Sequence, residues 1–303
     1  MKNKTAYCFS LSVANCLSPI IYCLLPIVFC QLLSSCYTPR YAYSPSAHNV
    51  PALTKKGDSK LAFNYSVNFA DNRIKENVST KGKARGYDVQ AAYAFTNHWA
   101  MQVNYFHRKE RNAGDFDSNI LDSTVINYKR NLTEIGAGYF KTLNNNKKAA
   151  VQIFAGIGFG KFSFTDNGKD QSNVYRSRYH TMNITKIFIQ PALMIRGKNN
   201  FAASLSSRFS TIYFKNITTD YSATELDNYK LDSLSYRPRF FWEPSIINTF
   251  GFKKLPGVQL EFQTGMAVLM SRLFVDYRAF NFSAALLLDL PKLFTLNKHS
   301  SKN

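Results

Sequence analysis

From residue 58 onward the chain alternates. In the stretch YDVQAAYAF, Tyr87, Val89, Ala91, Tyr93 and Phe95 hold the odd positions, and Asp88, Gln90, Ala92 and Ala94 hold the even ones. Three residues later Trp99, Met101, Val103 and Tyr105 alternate with Gln102, Asn104 and Arg108. A period of two marks a strand with two unlike faces, and two such runs on so short a connection predict a hairpin. The same pattern recurs along the chain. It predicts ten strands, over 58–70, 84–95, 99–109, 129–141, 149–164, 179–196, 200–214, 235–252, 257–270 and 276–290, with eight as the other count to consider.

The connections alternate as well. Residues 71–83, 110–128, 165–178 and 215–234 are long and polar, whereas 96–98, 142–148, 197–199 and 253–256 are short. Several strands have one face that is strongly apolar and free of charge. Ile187, Ile189, Pro191, Leu193 and Ile195 form one such face, Phe240, Trp242, Pro244 and Ile246 a second, and Phe280, Phe282, Ala284, Leu286 and Leu288 a third. Lys186, Gln190, Glu243, Ser245, Asn281, Ser283 and Asp289 lie on the opposite faces. A soluble sandwich shares the alternation but normally buries such faces in a core. Unbroken up-and-down order with long loops at one end and short turns at the other predicts an all-β fold, an antiparallel up-and-down transmembrane β-barrel.

The N-terminus has a different texture. After Met1-Lys2-Asn3-Lys4 no charged residue occurs until Arg40, and Leu17–Leu33 is apolar. A basic start, an apolar run and small residues after it predict a signal peptide over residues 1–35. A retained transmembrane helix is the rival, since such helices need about 20 apolar residues. Pro19, Pro26 and the Ser34-Ser35 pair argue against it. All five cysteines (Cys8, Cys16, Cys23, Cys30 and Cys36) fall in this region, and Leu33-Ser34-Ser35-Cys36 resembles a bacterial lipobox. Cleavage before Cys36 leaves one thiol, which cannot form an intramolecular disulfide and which acylation would cap. Residues 36–57 contain prolines and no apolar period, so they read as an extended tether following the lipid-attachment residue Cys36. The barrel is then expected over 58–290, and residues 291–303 form a polar periplasmic tail.

Composition sharpens this picture in two ways. The chain carries 38 Lys and Arg against 19 Asp and Glu, while aromatics reach 15%, mostly Phe and Tyr. An exported basic protein rarely meets nucleic acid, so anionic lipid headgroups are the expected partner. Lys81, Lys83, Arg85, Lys129, Arg130, Arg176 and Arg178 flank the predicted long loops and are candidates to bind phosphates of outer-membrane lipid and lipopolysaccharide. The loops themselves are candidates for an unknown surface partner.

Alternation also sends charge inward. Asp88, Arg108, Glu134, Lys186, Arg208, Glu243 and Glu261 should all point into the lumen, where both signs nearly balance. Eight strands are just filled by side chains and open channels appear near sixteen, so a plug of paired charges is expected at ten. An ion or ligand path is the alternative.

Motifs for chemistry are lacking. GIGFGK (Gly156–Lys161) has Ala155 at the first glycine position of a phosphate loop and Phe162 after the lysine. In a barrel, Gly156, Gly158 and Gly160 instead face inward and leave room for bulky neighbours. The stretch Asp115–Asn119 resembles the start of a calcium loop, but Ile120 and Ile126 occupy the required Gly and Glu positions. No His pair has zinc-ligand spacing, and no catalytic residue, metal or cofactor is predicted.

The stretches NVPALTKKGDSKLAFNYS, GYDVQAAYAFTNHWAMQVNY and EIGAGYF resemble the uncharacterised outer-membrane β-barrel lipoproteins of Gram-negative bacteria. The resemblance implies the fold and a lipid-anchored outer-membrane location; Cys36 is the one residue it carries across. Ten-stranded outer-membrane aspartyl proteases are similar in size, and Asp115-Phe116-Asp117 could imitate their paired aspartates. They also need an Asp-x-His pair, and none of His48, His98, His107, His180 and His299 has Asp two positions before it. The functional expectation is a structural, surface-interaction or small-solute role, with an envelope-lipid-modifying enzyme or a narrow channel as alternatives.

Overall fold

A computed structural model describes residues 39–69, 78–116, 124–143, 148–169, 174–197, 200–252, 254–255 and 257–291. Its strands are β1 (Ser59–Phe69), β2 (Val78–Ala94), β3 (Trp99–Phe116), β4 (Thr124–Thr142), β5 (Ala149–Lys169), β6 (Tyr175–Arg196), β7 (Phe201–Thr219), β8 (Arg239–Gly251), β9 (Val258–Met266), β10 (Val268–Leu269) and β11 (Phe280–Leu288). Each pairs antiparallel with its neighbours. β8 pairs with β9, β9 with β11, and β11 with β1, which closes the sheet. β10 continues β9 along β8 without a change of register, since Ser245 faces Gly265 and Trp242 faces Val268. The result is a closed antiparallel barrel of ten strands, and closure leaves no edge to protect.

Several strands run well past their predicted ends, always on the long-loop side. β3 continues to Phe116 rather than stopping near 109, and β5 continues to Lys169. β4 begins at Thr124, β6 at Tyr175 and β2 at Val78. The sequence changes from apolar to polar at these points, but pairing depends on backbone groups and continues wherever a partner is in register. The predicted strands therefore track the apolar belt rather than the ladder. β8 and β11 start four residues later than predicted, at Arg239 and Phe280. Residues before β8 form a cap instead, with helix α1 (Ala223–Asn228) followed by a 3-10 turn over Asp232–Leu234. Ser222 and Glu225 form a reciprocal capping box at the start of α1.

The two faces behave as alternation predicts. Phe63, Tyr65, Met101, Ile135, Ile187, Leu205, Ile246 and Phe282 project outward and are exposed. On β5 this outward apolar run lasts from Val151 to Phe159, beyond which Lys161, Ser163 and Thr165 follow. Such a run, tilted by about 40° at ~3.3 Å per residue, gives a belt roughly 23 Å high, close to that of bilayer-spanning barrels. Gly156 faces the interior, where a Cβ would lie 2.7 Å from the Phe188 ring and 2.3 Å from the Ile135 carbonyl. Its missing side chain is what lets Phe188 pack there.

Candidate functional site: a threaded lumen

The lumen holds a length of the chain's own backbone. Residues 40–51, expected as part of a tether outside the barrel, are all buried, and Leu53 is buried with them. They lie within the barrel rather than outside it. The segment meets every strand of the ring through hydrogen bonds. Asn68 of β1 and Asn281 of β11 donate to the Pro45 carbonyl, and Gln90 of β2 to that of Ala47. Asn49 donates to Asn104 of β3 at 2.9 Å, and Gln190 of β6 donates to the Asn49 carbonyl at 2.8 Å. Arg130 of β4 donates to the Tyr41 carbonyl, and Arg40 donates to Asp166 of β5. His48 Nδ1 lies 2.9 Å from Ser206 Oγ of β7, and its backbone N–H donates to Gln263 of β9. The Tyr43 hydroxyl donates to Glu243 of β8 and accepts from Lys186 at 3.1 Å. An extended chain presents a donor or acceptor at every residue, so only a polar lumen can satisfy one.

The seven predicted lumen charges are all buried. Arg108 grips Asp88 through both terminal nitrogens, at 2.8 and 3.1 Å, while its Nε donates to Asn68. At mid-height Lys186 lies 3.1 Å from Glu134 and 3.4 Å from Glu243, and Arg208 lies 3.9 and 3.7 Å from the same two carboxylates. Glu261 pairs with Lys60 at 3.1 Å. Together with Lys60, the seven thus form one four-membered cluster and two separate pairs rather than a single network. Pairing is what makes such burial tolerable, because a lone charge removed from water would cost several kcal/mol.

Further charges lie in the lumen. Glu110 receives both Arg130 and Arg278, at 3.1 and 3.0 Å. Asp166 receives Arg40, Thr124 and Tyr221. Glu110 and Asp166 continue the inward parity of β3 and β5 and lie just beyond the predicted strand ends, so longer strands would have revealed them. Arg278 lies in the irregular stretch before β11, where parity does not apply.

The rim prediction requires correction. Arg130 points into the lumen and is 1% exposed, as its parity with Glu134 demands. Arg176 and Arg178 lie on the His180 side of β6 and turn toward Glu225 of α1, at 3.3 and 3.6 Å. Burial alone would raise the Glu225 carboxyl, but the Ser222 hydrogen bonds and these two arginines bring it below the usual carboxylate value. Arg85 and Lys129 do face outward. Lys81 and Lys83 lie in β2 opposite Ala113 and Arg111, with side chains outside the described residues. Lys109 and Arg111, which the sequence reading passed over, complete an exterior row: Arg85 pairs with Lys109, and Lys109 with Lys129. These residues line an open groove of about 770 Å³ together with Asn127, Ser163 and Thr181.

Cys36, the signal-peptide region, Asp117 and most of the polar tail lie outside the described residues, as does the side chain of Asp115. Among the described residues no group of three or more His, Cys, Asp or Glu is placed to hold a metal ion.

No protein-family model matches the chain, and no curated protein matches it. Solved structures with a related path are outer-membrane barrels. The translocator domain of the autotransporter NalP from Neisseria meningitidis is 9% identical, with 91% of this chain and 96% of that one covered at a TM-score of 0.45. The outer-membrane protease OmpT from Escherichia coli is 11% identical, with 77% and 94% covered at 0.39. The outer-membrane protein OprG from Pseudomonas aeruginosa is 9% identical, with 79% and 98% covered at 0.34. The chain is similar to these proteins in strand arrangement alone.

Proposed function

We propose that this protein is an outer-membrane β-barrel, lipid-anchored through Cys36, that works as a sealed structural or surface-interaction element rather than as an open pore. The observation that carries the reading is the pairing of an apolar exterior belt with a lumen occupied by residues 40–53. Closed ten-strand barrels with an outward apolar belt are a form that satisfies every backbone group within lipid. After feeding with labelled palmitate, the wild-type protein should carry label in the outer-membrane fraction and the Cys36→Ser protein should not. Equal labelling of the two, or none in either, would remove the lipid anchor from this reading.

The exterior basic row supplies a partner of stated chemistry. Arg85, Lys109, Arg111 and Lys129 lie beyond the apolar belt on the long-loop side, toward the level where phosphates of lipopolysaccharide would lie in the outer leaflet. Charge-assisted contacts from Arg and Lys to phosphate are the strong class of hydrogen bond. Replacing all four with Gln should lower the lipopolysaccharide that co-purifies with the gently extracted barrel several-fold. Since the four side chains are exposed, stability should change little. Lipid retention equal to wild type would sink the assignment.

A further inference from the structure

The lumen segment has a direction. Arg40 bonds Asp166 near the end of β5 that leads into a long loop, and it lies 3.6 Å from the Tyr229 ring of the cap beyond β7. Tyr43 bridges Tyr277, just before β11 enters at the same end. Farther along, Val50 packs with Ala192, Met194 and Ile247. Leu53 packs with Ala94, Ala100, Phe140 and Phe154, beside the short turns. Lys56 and Gly57 then bond Asn97 and Ala94 at that short-turn end, and Gly57, at φ +88°, turns the chain into β1. Residues 40 to 53 therefore travel from the long-loop mouth to the short-turn mouth, a path of about 45 Å for extended chain.

This direction is the reverse of that taken by a tether that reaches β1 from outside the barrel at the short turns. A linker arriving from the short-turn side would need residue 39 at that mouth, whereas Arg40 and Tyr41 are bonded at the other. We propose that the barrel carries its own N-terminal segment through the lumen, with Pro39 and Arg40 at the long-loop mouth and Lys56 and Gly57 at the short-turn mouth. Threading is defined relative to the barrel; that the long-loop side is the cell surface rests on the outer-membrane reading above.

The test separates these two statements. A short polar epitope is inserted between Tyr37 and Thr38, beside Tyr236 in the β7–β8 loop, or beside Asn97 in a short turn. Antibody binding is then compared on intact and permeabilised cells. The expected intact-to-permeabilised ratio is near one for the tags at 37/38 and 236 and a small fraction of that for the tag at 97. A tag at 37/38 that follows the one at 97 would overturn the threading. A tag at 236 hidden on intact cells would instead defeat the membrane orientation, and threading is then read independently. In that second arm, purified Tyr43→Cys/Tyr277→Cys protein is treated with a short thiol cross-linker. Threading predicts a cross-linked band lost on single reversion at either position. A folded barrel, recognised by its heat-modifiable migration, that yields no cross-link would overturn it.

Discussion

Deleting residues 39–54 should turn a silent barrel into a conducting one. In planar bilayers the wild-type protein is expected to show little or no steady conductance, because residues 40–51 and Leu53 are buried along the lumen. Once they are removed, Gln90, Asn104, Gln190, Ser206, Arg208 and Gln263 lose their bonds to the segment. These groups are polar and would be satisfied by water, so the vacated path should fill with it rather than collapse. The deletion tests the segment against the side chains as the seal. If the charge clusters alone closed the lumen, the shortened barrel would stay silent. A large, stable conductance in the intact protein would remove the sealed-barrel reading altogether. Heat-modifiable migration of the deletion protein shows whether the barrel itself still forms.

The second large effect concerns the mid-lumen cluster. Glu134→Ala should destabilise the barrel by about 3–5 kcal/mol, the usual consequence of stranding a buried charge. Lys186 and Arg208 are both 0% exposed and would share Glu243 alone. Asn104, which donates to Glu134 at 3.1 Å, would lose that acceptor too. The measurement is denaturant unfolding of the detergent-solubilised protein, read by loss of heat-modifiable migration. Adding Lys186→Met to Glu134→Ala should recover part of the loss, because the stranded cation is then gone. A double variant that merely sums the two single effects would show that the four groups do not act as a unit. A loss below about 1 kcal/mol for Glu134→Ala would mean that water reaches the cluster and the lumen is not dry.

Much of the barrel was legible in the sequence because a strand with one face on lipid and one on a lumen must alternate. Ile187, Ile189, Leu193 and Ile195 face outward while Lys186 and Gln190 face inward, as their spacing implies. The seven charges on the inward parity are buried. Errors arose where another criterion displaced it. Nearness to a loop suggests the rim for Arg130, but Arg130 lies an even step from Glu134 and so shares its inward face. Loss of apolar character marks the end of the belt and not of the strand, so Glu110 and Asp166 lie beyond the predicted ends although backbone pairing continues through them.

The up-and-down order and the apolar belt were legible in the sequence, with ten strands ahead of eight, since each follows from local alternation and connection length. Which charges pair depends on how the sheet closes, because Lys186 meets Glu134 and Glu243 across strands whose separation in sequence says nothing of their distance. The tertiary structure also decides where residues 40–53 go. A period reports a segment that leans on one surface, and this segment is enclosed by all ten strands, so it has no face to write into its sequence. Its prolines and polar residues suit a solvated linker and a lumen filler equally well. What distinguishes the two is the ring of Asn, Gln, Arg and Glu side chains that replaces water around it, and that ring exists only when the sheet closes.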